Sequence, residues 1–157
     1  MSTLATPHAD PHELDRAAAL RLFIVMNRAV SAIVQYGRSP IEEAGLSQSE
    51  FMVLEVLYHK GPLPLGEIAE RILLQTGSTT YVINQLEKKG VLIRRTCTED
   101  RRVTFAELTD EGRTLIAQVF PRHAEALRVA MSALSRHEKR DMTEAIKRLG
   151  RFAESLK

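Results

Sequence analysis

LGEIAERILLQTGSTTYVINQLEKKGVLIRRTCTEDRRVTFAELT, residues 65–109, is the stretch that decides the fold. Pro64 precedes a short helical pattern, about 65–72, with Ile68, Ala69 and Ile72 turned to one side. Gln75-Thr76-Gly77 makes a turn. A second pattern, about 77–89, aligns Val82, Ile83 and Leu86 and stops at Gly90. Val91–Arg95 and Val103–Leu108 then read as strands, the second alternating through Val103 and Phe105, with an arginine-rich turn between them. Helix, turn, helix and a basic two-stranded ribbon is the order of a winged helix-turn-helix. That fold lays one helix in a DNA groove and a ribbon beside it. Ser78, Thr79, Thr80 and Tyr81 fall on the first turn of the second helix, where such a helix meets base edges.

Charge distribution agrees. The whole chain of 157 residues carries only +2, but residues 85–102 hold six basic side chains (Lys88, Lys89, Arg94, Arg95, Arg101 and Arg102) against three acids. That segment is +3 on a body of −1, the concentrated positive charge that nucleic acid attracts. Charge alone leaves a solvated basic loop equally open.

Outward from this core, the ends read as long helices. Residues 1–10 have the composition of a disordered tail. Asp10-Pro11-His12-Glu13 supplies a capping acid, a proline at the first helical position and a glutamate three residues on. A helix over 11–37 follows, ending at Gly37. Its apolar stripe (Leu14, Ala18, Leu22, Met26, Ala29, Val30, Ile33, Val34) is broadened by Leu20, Phe23, Ile24 and Val25 beyond what one domain easily covers, so a second subunit is expected there. Residues 38–46 read as a loop. Ser47-Gln48-Ser49-Glu50 is a capping box opening a helix over 48–60, with Phe51, Leu54, Leu57 and Tyr58 inward and Gly61-Pro62 as its stop. Thr109-Asp110-Glu111 caps a helix over about 110–132, in which Pro121 should produce a kink. Ser135-Arg136-His137-Glu138 is another capping box, opening a last helix that ends near Leu156. The organisation expected is a tail (1–10), an N-terminal dimerisation helix (11–37), a DNA-binding lobe (46–109) and C-terminal dimerisation helices (110–157), mainly α with a small β-wing.

The totals narrow the class. With 44% hydrophobic and 27% charged residues the chain suits one globular domain. No unbroken run approaches the roughly 18 apolar residues that span a bilayer, so no membrane partner is expected. A single cysteine, Cys97, excludes an internal disulfide framework and fits a reducing cytoplasm. The five histidines are scattered without metal-ligand spacing, and neither a phosphate-binding glycine loop nor a nucleophile elbow is present. No cofactor, metal or catalytic residue is expected.

Taken together, Leu46-Ser47-Gln48-Ser49-Glu50-Phe51, then GEIAERILLQTGSTTYVINQLEKKGVLIRR, then EDRRVTFAELTDEG resembles the core signature of the MarR family (multiple antibiotic resistance regulators). The motif-bearing match covers roughly 46–112, and the specific element is LEKKG, D-R-R and LT-x-x-G at these spacings. The resemblance implies a homodimer that binds a pseudo-palindromic operator, with half-sites repeating at one DNA turn, about 34 Å.

It also implies roles. Thr76, Ser78 and Thr80 align with positions used for bases and phosphates; small hydroxyl residues permit close approach but give little bidentate discrimination. Plain N-capping by Thr76 is the alternative. Gln85, Lys88 and Lys89 would touch phosphate or nothing. Asp100 and Arg102 match a wing pair in which the acid orients an arginine entering the minor groove; the alternative is an ion pair that only shapes the hairpin. Arg94, Arg95 and Arg101 are then phosphate candidates. A small aromatic or phenolic effector would bind among Phe23, Met26, Asn27, Val30, Phe51, Tyr58 and His59, residues that equally suit a packed core. Cys97, flanked by arginines, is open to a thiol-sensing reading or to being an inert turn residue. From another class, a winged-helix module that binds protein instead of DNA is the rival.

Overall fold

The computed structural model describes residues 10–72, 76–98, 100 and 102–156. Residues 1–9 of the expected tail, Gln75 of the expected turn and Arg101 of the wing lie outside them, as does the side chain of Thr76. Two compact units divide between Gln35 and Tyr36. In the first, helix α1 (Pro11–Gly37) starts where the Asp10 carboxylate accepts the His12 N–H at 3.0 Å, and it continues into the first residues of the second unit. Nearly every described side chain of α1 is exposed, Leu20, Leu22, Phe23 and Val25 among them.

The second unit contains α2 (Ser39–Glu43), α3 (Gln48–Lys60), β1 (Leu63–Pro64), α4 (Leu65–Ile72), α5 (Thr76–Lys88), β2 (Leu92–Thr96), β3 (Thr104–Leu108), α6 (Asp110–Ala130) and α7 (Arg136–Glu154). The capping residues act as their chemistry dictates. Ser47 and Glu50 satisfy each other's backbone N–H groups, at 2.7 and 3.2 Å, and Ser135 and Glu138 do the same at 2.8 and 3.3 Å. Gly90, at φ 72°, closes α5 in the left-handed region that only glycine enters freely, with the Val91 N–H returning to the Leu86 carbonyl at 3.1 Å. The core draws Phe51, Leu54 and Leu57 from α3, Ile68 and Ile72 from α4, Ile83 and Leu86 from α5, Leu92 and Ala106 from the sheet, and Ile116 and Val119 from α6. Each of these burials other than that of Ala106 stabilises by about 1.5–3 kcal/mol as an upper bound.

The fold is mainly α with a small β-wing, and it departs from the sequence reading in four places. First, residues 38–46 are not all loop: Pro40 sits in the first turn of α2, and Ile41 anchors that turn by complete burial in the core. Second, the ribbon is a three-stranded antiparallel sheet in the order β1-β3-β2, with Leu63 opposite Ala106 and Pro64 opposite Phe105. A two-residue strand has no readable period, and its proline is tolerated because β1 is an edge. Third, Gly37 is not a left-handed cap. A Cβ there would lie 3.1 Å from Leu127 Cδ2 and 3.2 Å from His123 Cε1, so its role is close approach to α6. As expected, α6 runs from Asp110 to Ala130 with Pro121 inside it. Fourth, the stretch His12–Glu43 is long and apolar enough to cross a membrane by length and composition alone. Counting unbroken runs missed it, because Arg21, Asn27 and Arg28 interrupt the runs while leaving the average apolar.

Candidate nucleic-acid interface

Helix α5 separates its residues cleanly. Thr79, Val82, Ile83 and Leu86 face the core, whereas Ser78, Thr80, Tyr81, Asn84 and Lys88 are exposed. That division follows from the 3.6-residue period. Thr79 was expected among the base-contacting residues, but it is only 2% exposed and cannot present its hydroxyl to a groove. Ser78 and Thr80 remain on the outward face.

Beside α5, β2 and β3 pair from Leu92 opposite Leu108 to Thr96 opposite Thr104, and the described residues between them (97, 98, 100, 102 and 103) form the tip. Asp100 organises that tip. Its Oδ1 accepts the Arg102 backbone N–H at 3.0 Å and Nε at 3.2 Å, while Oδ2 accepts from Nη2 at 3.4 Å. The backbone N–H and then the guanidinium of Arg102 hold the Asp100 carboxyl below its ordinary value. The Arg102 side chain is nonetheless 92% exposed, a cation aimed by one carboxylate and otherwise in water. Such an arrangement loses little rotamer freedom when it enters a narrow, electronegative groove.

The other basic residues divide. Lys89 donates to the Glu50 carboxylate at 2.9 Å and to the Gly45 carbonyl at 2.9 Å, closing the end of α5 onto the start of α3. Arg94 is held by Glu87 and by Asn84 Oδ1 at 2.7 Å, tying β2 to α5. Arg95 pairs with Glu107 across the ribbon at 2.7 Å but stays two-thirds exposed. Lys88 is exposed at the C-terminal end of α5. Lys89 and Arg94 therefore have intramolecular work that the charge count could not reveal.

The Lys89 pair carries a testable consequence. Burial alone would raise the Glu50 carboxyl, but bonds from Lys89 and from Ser47 outweigh it and hold it below the ordinary 4.5. Lys89→Met leaves a buried carboxylate without its cation. Breaking a fully buried pair costs about 3–5 kcal/mol. Because Lys89 is 39% exposed, solvent screening reduces the expected loss to about 1–2 kcal/mol. A depressed carboxylate contributes fully above 4.5 and loses that contribution as pH falls through its folded value. In urea unfolding the gap between wild type and Lys89→Met should therefore narrow as pH falls below 4.5. An equal Cm for the two proteins at pH 7 would show that the pair contributes nothing.

The seven residues expected to line an effector site are not equivalent. Phe51 is core, its ring meeting the buried His123 edge-on at 4.6 Å. His123 Nδ1 lies 2.9 Å from the Gly37 carbonyl, which requires the proton on that nitrogen. Tyr58 is half-buried and packs edge-on to His59, which in turn meets Phe120 at 4.8 Å. Of the seven, His59 lines a pocket of about 280 Å³ with Met52, Glu55, Val56, Lys60, Arg71 and Ile72. Phe23, Met26, Asn27 and Val30 belong to the first unit, where Asn27 Nδ2 donates to the Phe23 carbonyl at 2.8 Å within α1. Cys97 is half-buried at the wing, its backbone N–H bonded to the Val103 carbonyl at 2.9 Å. Among the described residues no three of His, Cys, Asp or Glu cluster as a metal site would need.

A profile of the MarR family matches residues 46–104, the segment from two residues before α3 to the first residue of β3. The chain is also 46% identical over 132 residues to the HTH-type transcriptional regulator MhqR of Bacillus subtilis (strain 168), spanning 84% of this chain and 91% of that one. The chain belongs to the MarR family. Membership makes it a transcriptional regulator rather than an enzyme.

Solved structures agree on the MarR fold. BpsR of Bordetella bronchiseptica, whose DNA binding is regulated by 6-hydroxynicotinic acid, superposes with a TM-score of 0.75 at 20% identity, covering 83% of this chain and 98% of BpsR. NadR in complex with 4-hydroxyphenylacetate superposes with a TM-score of 0.71 at 20% identity, covering 94% and 97%. Within the MarR motif, sequence reading passed over Gly112. A Cβ there would sit 1.9 Å from the Val91 carbonyl oxygen, so the glycine of LT-x-x-G is a requirement of close packing. The signal was present in the sequence, but only as an unexplained motif letter. Asn84 was passed over as well, although Tyr81 one turn before it had been placed where the helix meets base edges.

Proposed function

We propose that this MarR-family chain is a cytoplasmic, homodimeric repressor that binds a pseudo-palindromic operator and is released by a small aromatic or phenolic ligand. The observation that carries the DNA-binding reading is Arg102, fully solvated at the wing tip yet oriented through Asp100. The outward face of α5 beside it, with Ser78 and Thr80, supplies short polar side chains suited to a major groove. The homodimer reading rests on the apolar side chains that α1 and α7 expose, which a second copy would cover. The effector reading rests on relatives of the same fold: NadR is bound to 4-hydroxyphenylacetate, and BpsR responds to 6-hydroxynicotinic acid.

Binding of the purified protein to its own upstream DNA tests the central reading, with wild type and Arg102→Ala compared at two salt concentrations. Wild type should bind specifically, and its affinity should fall steeply with salt as phosphate counterions are released. Arg102→Ala should bind on the order of tenfold more weakly, one groove contact having been lost in each half-site. Failure of wild type to select any sequence from a random duplex pool would sink the DNA-binding reading and leave the protein-interaction module. For the effector, a panel of phenols and aromatic acids should contain compounds that dissociate the complex. No response from any of them would remove that part.

A further inference from the structure

We propose that Tyr81 and Asn84 are a base-reading pair on α5, Tyr81 covering a thymine methyl group and Asn84 donating to an acceptor edge beside it. The proposal rests on the DNA-binding reading above. Ser78, Tyr81, Asn84 and Lys88 recur at three- and four-residue intervals, so they form one strip along the exposed side of the helix. Tyr81 is 64% exposed, a large ring standing in water midway along an otherwise polar strip. In a major groove the one apolar feature such a ring can cover is the 5-methyl of thymine.

Asn84 is constrained in a way its residue type does not suggest. Its Oδ1 accepts from Arg94 Nη2 at 2.7 Å, and the same guanidinium is fixed by Glu87 one helical turn further on. Arginine only donates, so the amide must turn its oxygen to Arg94 and its NH2 away. A free asparagine reads adenine with both groups, oxygen accepting from N6 and nitrogen donating to N7. With the oxygen turned to Arg94 and one of its lone pairs taken, the NH2 donors are what Asn84 presents to the DNA. Guanine N7 and O6 and thymine O4 accept them, whereas adenine offers N7 but sets its N6 amino group, a second donor, beside it. Arg94 is thus a positioning residue: it converts Asn84 from an adenine reader into a donor.

The test begins with sequences that wild type selects from a random duplex pool, followed by replacement of each half-site thymine with deoxyuridine, which lacks only the methyl. One position should lower wild-type affinity about fourfold per half-site, the worth of one buried methyl group. The same replacement should leave Tyr81→Ala unchanged, while Tyr81→Phe, which keeps the ring, should stay sensitive. Asn84→Ala should lose the guanine or thymine preference at the neighbouring position and keep its deoxyuridine response. No deoxyuridine effect in wild type, or an equal one in Tyr81→Ala, would overturn the proposal while the regulator reading stands. Selection of adenine at the Asn84 position would overturn the donor-only assignment. If wild type selected no sequence at all, the DNA-binding reading would fail and this would fall with it.

Discussion

Gly112→Ala is expected to lower stability by at least about 3 kcal/mol, well beyond an ordinary surface change in a helix. The added Cβ would lie 1.9 Å from the Val91 carbonyl oxygen and 2.9 Å from its carbon, and both are backbone atoms that no rotamer change can move. Nor is Val91 free to retreat. Its carbonyl accepts the Thr109 N–H at 3.2 Å, and Thr109 Oγ1 donates to the Gly90 carbonyl at 2.8 Å. The same hydroxyl caps α6 by accepting the Gly112 N–H at 3.0 Å. Displacing Val91 would therefore strain the cap, the turn after α5 and the first pair of the β2–β3 ladder together. Gly66→Ala is the control, since nothing lies within 4 Å of a Cβ there. It should change stability by less than about 1 kcal/mol, toward stabilisation, because alanine is the better helix former. Chemical denaturation of both variants checks the contrast. Similar losses in the two would refute the steric account.

The second large effect concerns the uncovered helices. Phe23→Glu, with Phe152→Glu as an independent variant, is expected to convert a dimer to monomers and to weaken operator binding by on the order of 100-fold. Phe23 on α1 and Phe152 on α7 are each more than 60% exposed, as are Leu20 and Leu156. So much exposed aliphatic and aromatic surface is uncommon in a soluble monomer and marks a surface that another protein or a membrane covers. A carboxylate in the middle of such an interface would be desolvated without a partner, which costs several kcal/mol. Loss of the dimer would also remove the gain from binding two half-sites at once, which is worth two or more orders of magnitude. Sedimentation equilibrium without detergent reads the first effect, and operator titration the second. A wild-type protein that sediments as a monomer would sink the dimer. One that stays in solution only with detergent would turn attention to the membrane-length character of α1.

Much of the architecture was legible before any coordinates. The ends of α3 and α7 were marked by Ser47/Glu50 and Ser135/Glu138, and the end of α5 by Gly90, because caps and left-handed glycines act within a few residues. The buried positions Val82, Ile83 and Leu86 of α5 followed from its period, though Thr79 did not, and Asp100 was placed beside Arg102 by a local motif. Less legible were elements without a period of their own. Both β1, two residues long, and α2, five residues long, exist because Ala106 and the core lie opposite them.

What the sequence determined by itself was local: helix order, capping, the winged motif and where positive charge concentrates. The tertiary structure alone decided which of those charges face outward. Lys89 meets Glu50 across 39 residues and Arg94 meets Asn84 across 10, so two cations that look alike in the sequence to Arg102 are spent inside the lobe. Gly37 meets His123 across 86 residues, and Gly112 meets Val91, each through a close approach that only the packed backbone creates. The physical reason is common to all of them. Propensity and periodicity depend on neighbours along the chain, whereas partnering and steric exclusion depend on which distant atoms the fold brings within a few ångströms.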